Sequence, residues 1–321
     1  MTSVEPPGTL STSAHTQRSF HRAALVFLIL TSVAAPAAYA QTTASPWVLS
    51  WSDDFNAPAG SPPDPAKWTF DIGGNGYGNH ELETYTNRLA NAQQKAGNLV
   101  ITARREDLTG PDGVARSYTS ARILTKGNFA QAYGRFEARI QLPLGKGLWP
   151  AFWLLGDNSA TVPWPQCGEI DIMENIGEPS TVYSTLHGPG YSGGHAISAK
   201  FPLPAGQNVN TAFHLYALEW APDDVKFFLD GNLIAERTPA SLPPGTTWAY
   251  DHPFFIILNL AVGGDWPGNP DATTTFPQQM LVDYVRVYTR TASPQSKAAK
   301  DPARPQSGPS EPPNHPTQPG K

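Results

Sequence analysis

Tyr133-Gly-Arg-Phe-Glu-Ala-Arg-Ile-Gln-Leu142 alternates polar Arg135, Glu137, Arg139 and Gln141 with apolar Phe136, Ala138, Ile140 and Leu142. That two-residue period belongs to a strand with one face on a core and the other turned outward. Working outward, comparable short stretches recur at Leu99–Arg104, Tyr118–Leu124, Val182–His187, His214–Trp220, Phe254–Val262 and Leu281–Tyr288. Asp230-Gly231, set between Val225–Leu229 and Asn232–Glu236, is a two-residue hairpin signal. Apart from an apolar run near the start, no stretch of ten residues holds a helical period. With 33 prolines and 28 glycines in 321 residues, and 9 Trp, 11 Tyr and 14 Phe, the composition favours short strands joined by turns over long helices. The expected fold is all-β: two antiparallel sheets packed as a sandwich. A propeller would need a repeat of about 40 residues, which the chain lacks.

Charged residues make up 15% of the chain, against about 25% in an average soluble domain, and 27 acidic against 22 basic side chains leave a net charge of −5. There is no basic footprint for nucleic acid. The one cysteine, Cys167, can form neither an internal disulfide nor a cysteine-based zinc site, so the fold must stand on its core.

The two ends read differently from the middle. Residues 1–22 are polar, and Arg18 and Arg22 precede the uncharged stretch Ala23–Ala40, whose centre is Ala23-Ala-Leu-Val-Phe-Leu-Ile-Leu30. This run is shorter than the roughly 20 residues of a membrane span and ends in Ala38-Tyr39-Ala40, the small-x-small pattern that a signal peptidase reads. A secretory signal over residues 1–40, cleaved after Ala40, is expected, making the protein secreted or periplasmic with no membrane attachment afterwards. From Thr291 to Lys321 there are eight prolines and no Val, Ile, Leu, Met or aromatic residue, so this tail is expected to be disordered. One large folded domain over residues 45–290, acting as a monomer, fits what remains.

Gly168-Glu-Ile-Asp-Ile-Met-Glu-Asn175 carries the chemistry. Strand alternation puts Glu169 and Asp171 on one face, with Ile170 and Ile172 on the other. Glu174, five residues from Glu169, would fall on the wrong face unless one extra residue around Met173 makes a β-bulge. With the bulge, neighbouring acids stand about 7 Å apart at a rise of about 3.3 Å per residue. Converging side chains could bring the outer pair to the roughly 5 to 5.5 Å of a retaining glycosidase. An acidic strip on a solvated face, or a calcium site, would present the same residues. Trp149, Trp153 and Trp164 lie just upstream, and aromatic rings beside carboxylates suit a sugar cleft.

Beyond this cluster, the chain from about Trp51 to Tyr288 resembles glycoside hydrolase family 16, in its laminarinase-type branch. The resemblance rests on Ser52-Asp-Asp-Phe55, Gly78-Asn-His-Glu-Leu82, Leu148-Trp-Pro-Ala-Phe-Trp153, the acid stretch, Leu186-His-Gly-Pro-Gly190, Asp251-His-Pro-Phe254, Asn259-Leu-Ala-Val-Gly-Gly264 and Pro277-Gln-Gln-Met-Leu-Val-Asp-Tyr284. It implies a β-jelly-roll sandwich with a concave substrate groove. It also implies endo-hydrolysis of β-1,3-glucan, with some action on mixed-linkage glucan, by double displacement. Physics requires one carboxylate to attack and one carboxylic acid to donate, without saying which is which. The resemblance makes Glu169 the nucleophile, Glu174 the acid/base and Asp171 the auxiliary acid between them.

The bulged Glu-x-Asp-x-x-Glu spacing resembles laminarinases and marine galactan hydrolases rather than lichenases. The resemblance further implies substrate contacts from Asn79, Arg122, Trp149, Trp153 and His187, leaving Glu81 and Trp266 unassigned. No catalytic cofactor is implied, but a structural calcium is, at Asp54, Gly97 and Asp283, whose all-oxygen donors would suit that ion. A non-catalytic β-glucan-binding module and a hydrolase of another polysaccharide, such as agarose, are the competing expectations.

Overall fold

The computed structural model describes residues 46–291. The expected signal segment and, beyond Thr291, the proline-rich tail lie outside the described residues. Seventeen strands are described: β1 (Trp47–Asp53), β2 (Thr69–Asp71), β3 (Glu83–Tyr85), β4 (Ala92–Lys95), β5 (Asn98–Thr109), β6 (Ala115–Ser120), β7 (Arg122–Leu124), β8 (Gly134–Gln141), β9 (Leu148–Gly156), β10 (Glu169–Glu174), β11 (Thr181–His187), β12 (Ile197–Pro202), β13 (His214–Ala221), β14 (Asp224–Leu229), β15 (Asn232–Arg237), β16 (Phe254–Val262) and β17 (Gln278–Arg290). Helix among the described residues is confined to short 3₁₀ turns.

The strands form two sheets. A ten-stranded sheet runs β15-β14-β13-β8-β17-β5-β6-β3, with β1 also on β17 and β4 also on β5, and a seven-stranded sheet runs β12-β11-β10-β9-β16-β7-β2. All pairings are antiparallel except β3 with β6. The two-sheet sandwich expected from alternation, and the jelly roll that the family resemblance implies, is the fold observed. On β8, Phe136, Ala138 and Ile140 are fully buried, and from the other sheet Phe152, Leu154, Ile170, Ile256 and Leu258 join the same core. This burial is the main driving force holding the sheets together. Between β14 and β15, Asp230 and Gly231 have φ of 49° and 80°, the paired positive values of a type I′ hairpin turn.

One local reading changes, and one strand was not foreseen. Tyr118–Leu124 is not one strand: β6 ends at Ser120 in the larger sheet and β7 begins at Arg122 in the smaller. The chain crosses at Ala121, whose neighbours Thr119 and Ser120 are also fully buried and small enough to pass between the layers. Strand β9 is central although it contains Pro150, usually a residue of edge strands. The Pro150 carbonyl accepts from the Asn175 amide, so its nitrogen faces the same side, where β10 has already ended at Glu174. The missing N–H therefore breaks no ladder bond.

Candidate active site

The outer face of the seven-stranded sheet carries a groove of about 370 Å³. Alternation along β9 sends Leu148, Phe152 and Leu154 to the core and Trp149, Ala151, Trp153 and Leu155 into the groove. On β10, Asp171 pairs with Trp153 and Glu174 with Ala151, so three residue steps on β10 face two on β9, and the β11 register shifts in the same interval. This is the expected bulge. It buries both Ile172 and Met173 in the core and returns Glu174 to the face of Glu169 and Asp171. The strand is entered through Gly168 at φ 72°, where a Cβ would come within 2.6 Å of the Ala249 carbonyl oxygen. Only glycine fits there.

Strand β11 supplies partners in register: His187 opposite Glu169, Thr185 opposite Asp171 and Tyr183 opposite Glu174. His187 Nδ1 accepts from the Gly193 amide at 3.1 Å, which puts the ring proton on Nε2, facing the acids. That nitrogen lies 3.1 Å from Asp171 Oδ2 and 3.7 Å from Glu169 Oε1. Glu174 accepts from Trp149 Nε1 at 2.9 Å and from Thr185 Oγ1 at 3.4 Å.

Asp171 and Glu174 are only 3% and 7% exposed. Burial, then the neighbouring Asp171 carboxyl, pushes Glu169 up to about 8. Burial and Glu174 hold Asp171 well above the usual carboxylate range, and burial raises Glu174 to about 7 against the pull of His187 and the Trp149 hydrogen bond. Three carboxyls so close cannot all be ionised near neutrality. They titrate as one set that retains protons, as acid catalysis at that pH requires.

The substrate-contact residues expected from the sequence also gather here: Asn79, Arg122, Trp149, Trp153 and His187 all line the groove. The Arg122 guanidinium lies 4.8 Å from the ring centres of both Tyr77 and Trp153 and pairs with Asp71 at 2.9 Å. Trp164, 48% exposed, stands near His187, and Trp266, 41% exposed, packs edge-on against Trp149 and Tyr183. The sequence reading missed Tyr77 and Asn259. The signal for Asn259 was present: it is the lone polar residue of β16, and its Oδ1 accepts from Trp153 Nε1 at 2.7 Å.

Asp54, Gly97 and Asp283 lie elsewhere, at the ten-stranded sheet: Asp54 just past β1, Gly97 just before β5 and Asp283 on β17. Asp53 of β1 pairs with Val285, Leu99 of β5 pairs with Val282, and β17 bulges between Val282 and Tyr284, so the register brings the three positions towards one another. Asp283 Oδ2 accepts from Arg139 at 2.6 Å and Asp54 Oδ1 from Arg286 at 2.7 Å. Oxygen donors left for a cation are backbone carbonyls and the second oxygen of each carboxylate, a hard-ligand set that fits calcium.

Residues 79–286 match the sequence profile of glycosyl hydrolases family 16. The chain belongs to this family. Among relatives of this family 16 hydrolase, a β-glucanase of Rhodothermus marinus is 43% identical over 75% of the chain and 85% of its own length. A glucan endo-1,3-β-glucosidase of Cryptopygus antarcticus is 40% identical over 76% and 92%. Among solved structures, the laminarinase catalytic domain of Thermotoga maritima superposes with a TM-score of 0.73 at 47% identity, covering 77% of this chain and 99% of that one. The family 16 hydrolase is thus a glycosidase whose acid-lined groove faces a polysaccharide.

Proposed function

We propose that this family 16 hydrolase is a retaining endo-β-1,3-glucanase acting on laminarin-like glucans, with Glu169 as nucleophile and Glu174 as acid/base. The observation that carries the reading is the bulged acid strand: three buried carboxyls converge on one groove face, flanked by Trp149 and Trp153, in a chain whose relatives include a named laminarinase. His187 Nε2–H and Arg122 both favour the charged form of Glu169. The family resemblance makes Glu169 the attacking carboxylate and Glu174 the proton donor; to attack, Glu169 must give up the proton that burial favours, while Asp171, held well above the usual carboxylate range, retains its own.

In the first step Glu169 bonds to the anomeric carbon as the glycosidic C–O bond breaks, and Glu174 passes its proton to the departing sugar oxygen. In the second, Glu174 takes a proton from water, the water oxygen bonds to the anomeric carbon and Glu169 leaves. Two inversions give retention. Asp171 supplies a hydrogen bond to Glu169 while it carries the sugar and holds its orientation. Product anomers followed by NMR during early laminarin hydrolysis should be β; an initial α-anomer would sink the assignment. Reducing-sugar release confined to agarose would keep the chemistry and overturn the substrate.

Two further readings complete the proposal. Export with cleavage after Ala40 is supported by Arg18 and Arg22 ahead of the apolar run and by Ala38-Tyr39-Ala40, and mature protein starting at any residue but Gln41 contradicts that cleavage site. A structural calcium at Asp54, Gly97 and Asp283 is supported by the convergent register and oxygen donors described above.

A further inference from the structure

Behind the groove wall opposite the acids lies a second pair of carboxyls that the mechanism does not use. Glu83, on β3, is 0% exposed, and its Oε2 accepts from the Val262 amide at 2.7 Å. Its Oε1 is equally buried and meets no N–H or O–H donor. The Glu83 carboxyl lies within hydrogen-bonding reach of that of Glu81, two residues earlier in the chain. Glu81 lines the groove and is already an acceptor: Oε2 from the Tyr85 hydroxyl at 2.9 Å, Oε1 from Asn79 Nδ2 at 3.3 Å.

A buried carboxylate oxygen with no donor is strongly disfavoured, and two such oxygens facing each other more so. If Glu83 Oε1 carries a hydrogen, the orphan becomes a donor and Glu81 its acceptor. The hydrogen bonds then run without a break. Glu83 donates to Glu81; the Tyr85 hydroxyl donates to Glu81 and accepts from Asn259 Nδ2 at 3.2 Å; and Asn259 accepts from Trp153 Nε1 at 2.7 Å. At the other end the Val262 bond ties the start of β3 to the end of β16, near Gly264, whose Cβ position is 3.5 Å from the Trp149 ring.

We propose that Glu83 is a positioning residue of this hydrolase: its buried Oε1 carries a hydrogen donated to Glu81, and the hydrogen-bond chain built on it holds Trp153 and Asn79 in the groove wall. The surroundings agree. Burial, then the Glu81 charge, keeps the Glu83 carboxyl well above its usual range. The charged and titratable groups around the pair are Tyr85 beside it, Tyr77 and Arg122 on the groove side, and Arg116 packed over Gly74. Neither arginine is free to neutralise Glu83, because Arg122 pairs with Asp71 at 2.9 Å and Arg116 with Asp112 at 2.7 Å. Loss of the hydrogen at high pH would leave facing carboxylates in the interior, and the wall would loosen at Tyr85 and Trp153.

This inference rests on the glucanase reading for its kinetic test but not for its spectroscopic one. With laminarin as substrate and the full chain throughout, kcat and KM are measured from pH 5 to 9 for the wild type, Glu83→Ala and Glu83→Gln. Glu83→Ala should raise KM about tenfold with kcat within about threefold, as loss of one hydrogen bond used for binding demands. Glu83→Gln, whose amide donates to Glu81 while its carbonyl accepts from Val262, should bring KM back to within about threefold of the wild type. Wild-type KM should climb at the alkaline end, and that of Glu83→Gln should stay level. A glutamine variant as impaired as the alanine variant overturns the proposal, as does an alanine variant with normal KM. If Glu83→Ala does not fold, the infrared difference spectrum of wild type minus Glu83→Gln at pH 7, taken without substrate, decides: it must contain the carbonyl band of an un-ionised carboxylic acid. A missing band refutes the hydrogen on Glu83. A present band with a wild type inert on laminarin leaves the hydrogen standing and removes the glucanase reading instead.

Discussion

On the ten-stranded sheet, strand acids are met by cations: Arg135 reaches Glu137 at 2.8 Å and Glu219 at 2.9 Å, Arg139 reaches Asp283, and Arg286 reaches Asp54. On the groove face of the seven-stranded sheet, Glu169, Asp171 and Glu174 have chiefly one another and His187, while the nearest guanidinium, Arg122, pairs with Asp71. Both regions are built by the same alternation of polar and apolar residues. The difference is in what stands opposite each acid, and it decides whether a carboxyl serves as a balanced surface charge or as a proton-holding group that can react. Crowding like charges is unfavourable, and the proposed mechanism gives the groove a reason to retain it, since one acid must be ionised and another not.

The largest effects should come from removing the two carboxyls proposed to react. Glu169→Ala and Glu174→Ala should each lower kcat on laminarin by about 10³-fold or more, and added azide should separate their roles. A small anion entering the space left by Glu169 attacks without a covalent intermediate and yields an α-glycosyl azide. In Glu174→Ala the intermediate still forms, and azide displacing Glu169 yields the β-product. Obtaining these anomers the other way round would exchange the two assignments.

An intermediate effect should appear in stability against pH. Burial raises Glu174 from its ordinary 4.5 to about 7, so the folded state binds more protons than the unfolded one across that interval. The fold is unpenalised below about pH 4, and loses stability as pH rises through about 7. Glu174→Gln removes that loss and should gain on the order of 3 kcal/mol over the wild type at pH 8, with little difference at pH 4. Denaturant titrations at the two pH values read this directly, and equal gains at both would show that crowding of charge is not what the groove tolerates.

The smallest effect belongs to the other sheet. The Arg139–Asp283 pair is partly exposed, and Arg139→Ala should change stability by less than about 1 kcal/mol. If calcium is held there, a chelator should lower the melting temperature of the wild type and leave that of Asp283→Ala unmoved. A chelator without effect on the wild type removes the ion and leaves only the ion pairs.

Much of this was legible beforehand because the period of two survives in β8, β13 and β17, and β16 stands out as an apolar run of strand length, interrupted only by Asn259. The bulge could be inferred from β10 alone, since an odd offset cannot otherwise return Glu174 to its face. What escaped depends on contacts distant in sequence. The crossing at Ala121 shows no break in pattern, because the small buried Thr119 and Ser120 lead into it and Arg122-Ile123-Leu124 at once resumes a strand pattern. Strand β9 was hidden by Pro150, harmless only because β10 stops one residue short. The hydrogen-bond chain from Glu83 to Trp153 depends on two bonds between residues 174 and 106 positions apart and could be found only in three dimensions.

The bulge in β10 has one more consequence. Glu174 pairs with Ala151 and Tyr183, and those pairings lie beyond the extra residue. Were Met173 deleted, Glu-Ile-Asp-Ile-Glu would alternate regularly, its last acid still opposite Ala151 and Tyr183, with no neighbouring strand obliged to slide. An insertion or deletion within a central strand ordinarily scrambles everything downstream. Here the chain has a removable link, so changes of length, and not only of side chain, are open to inheritance at the spot where the bond is broken.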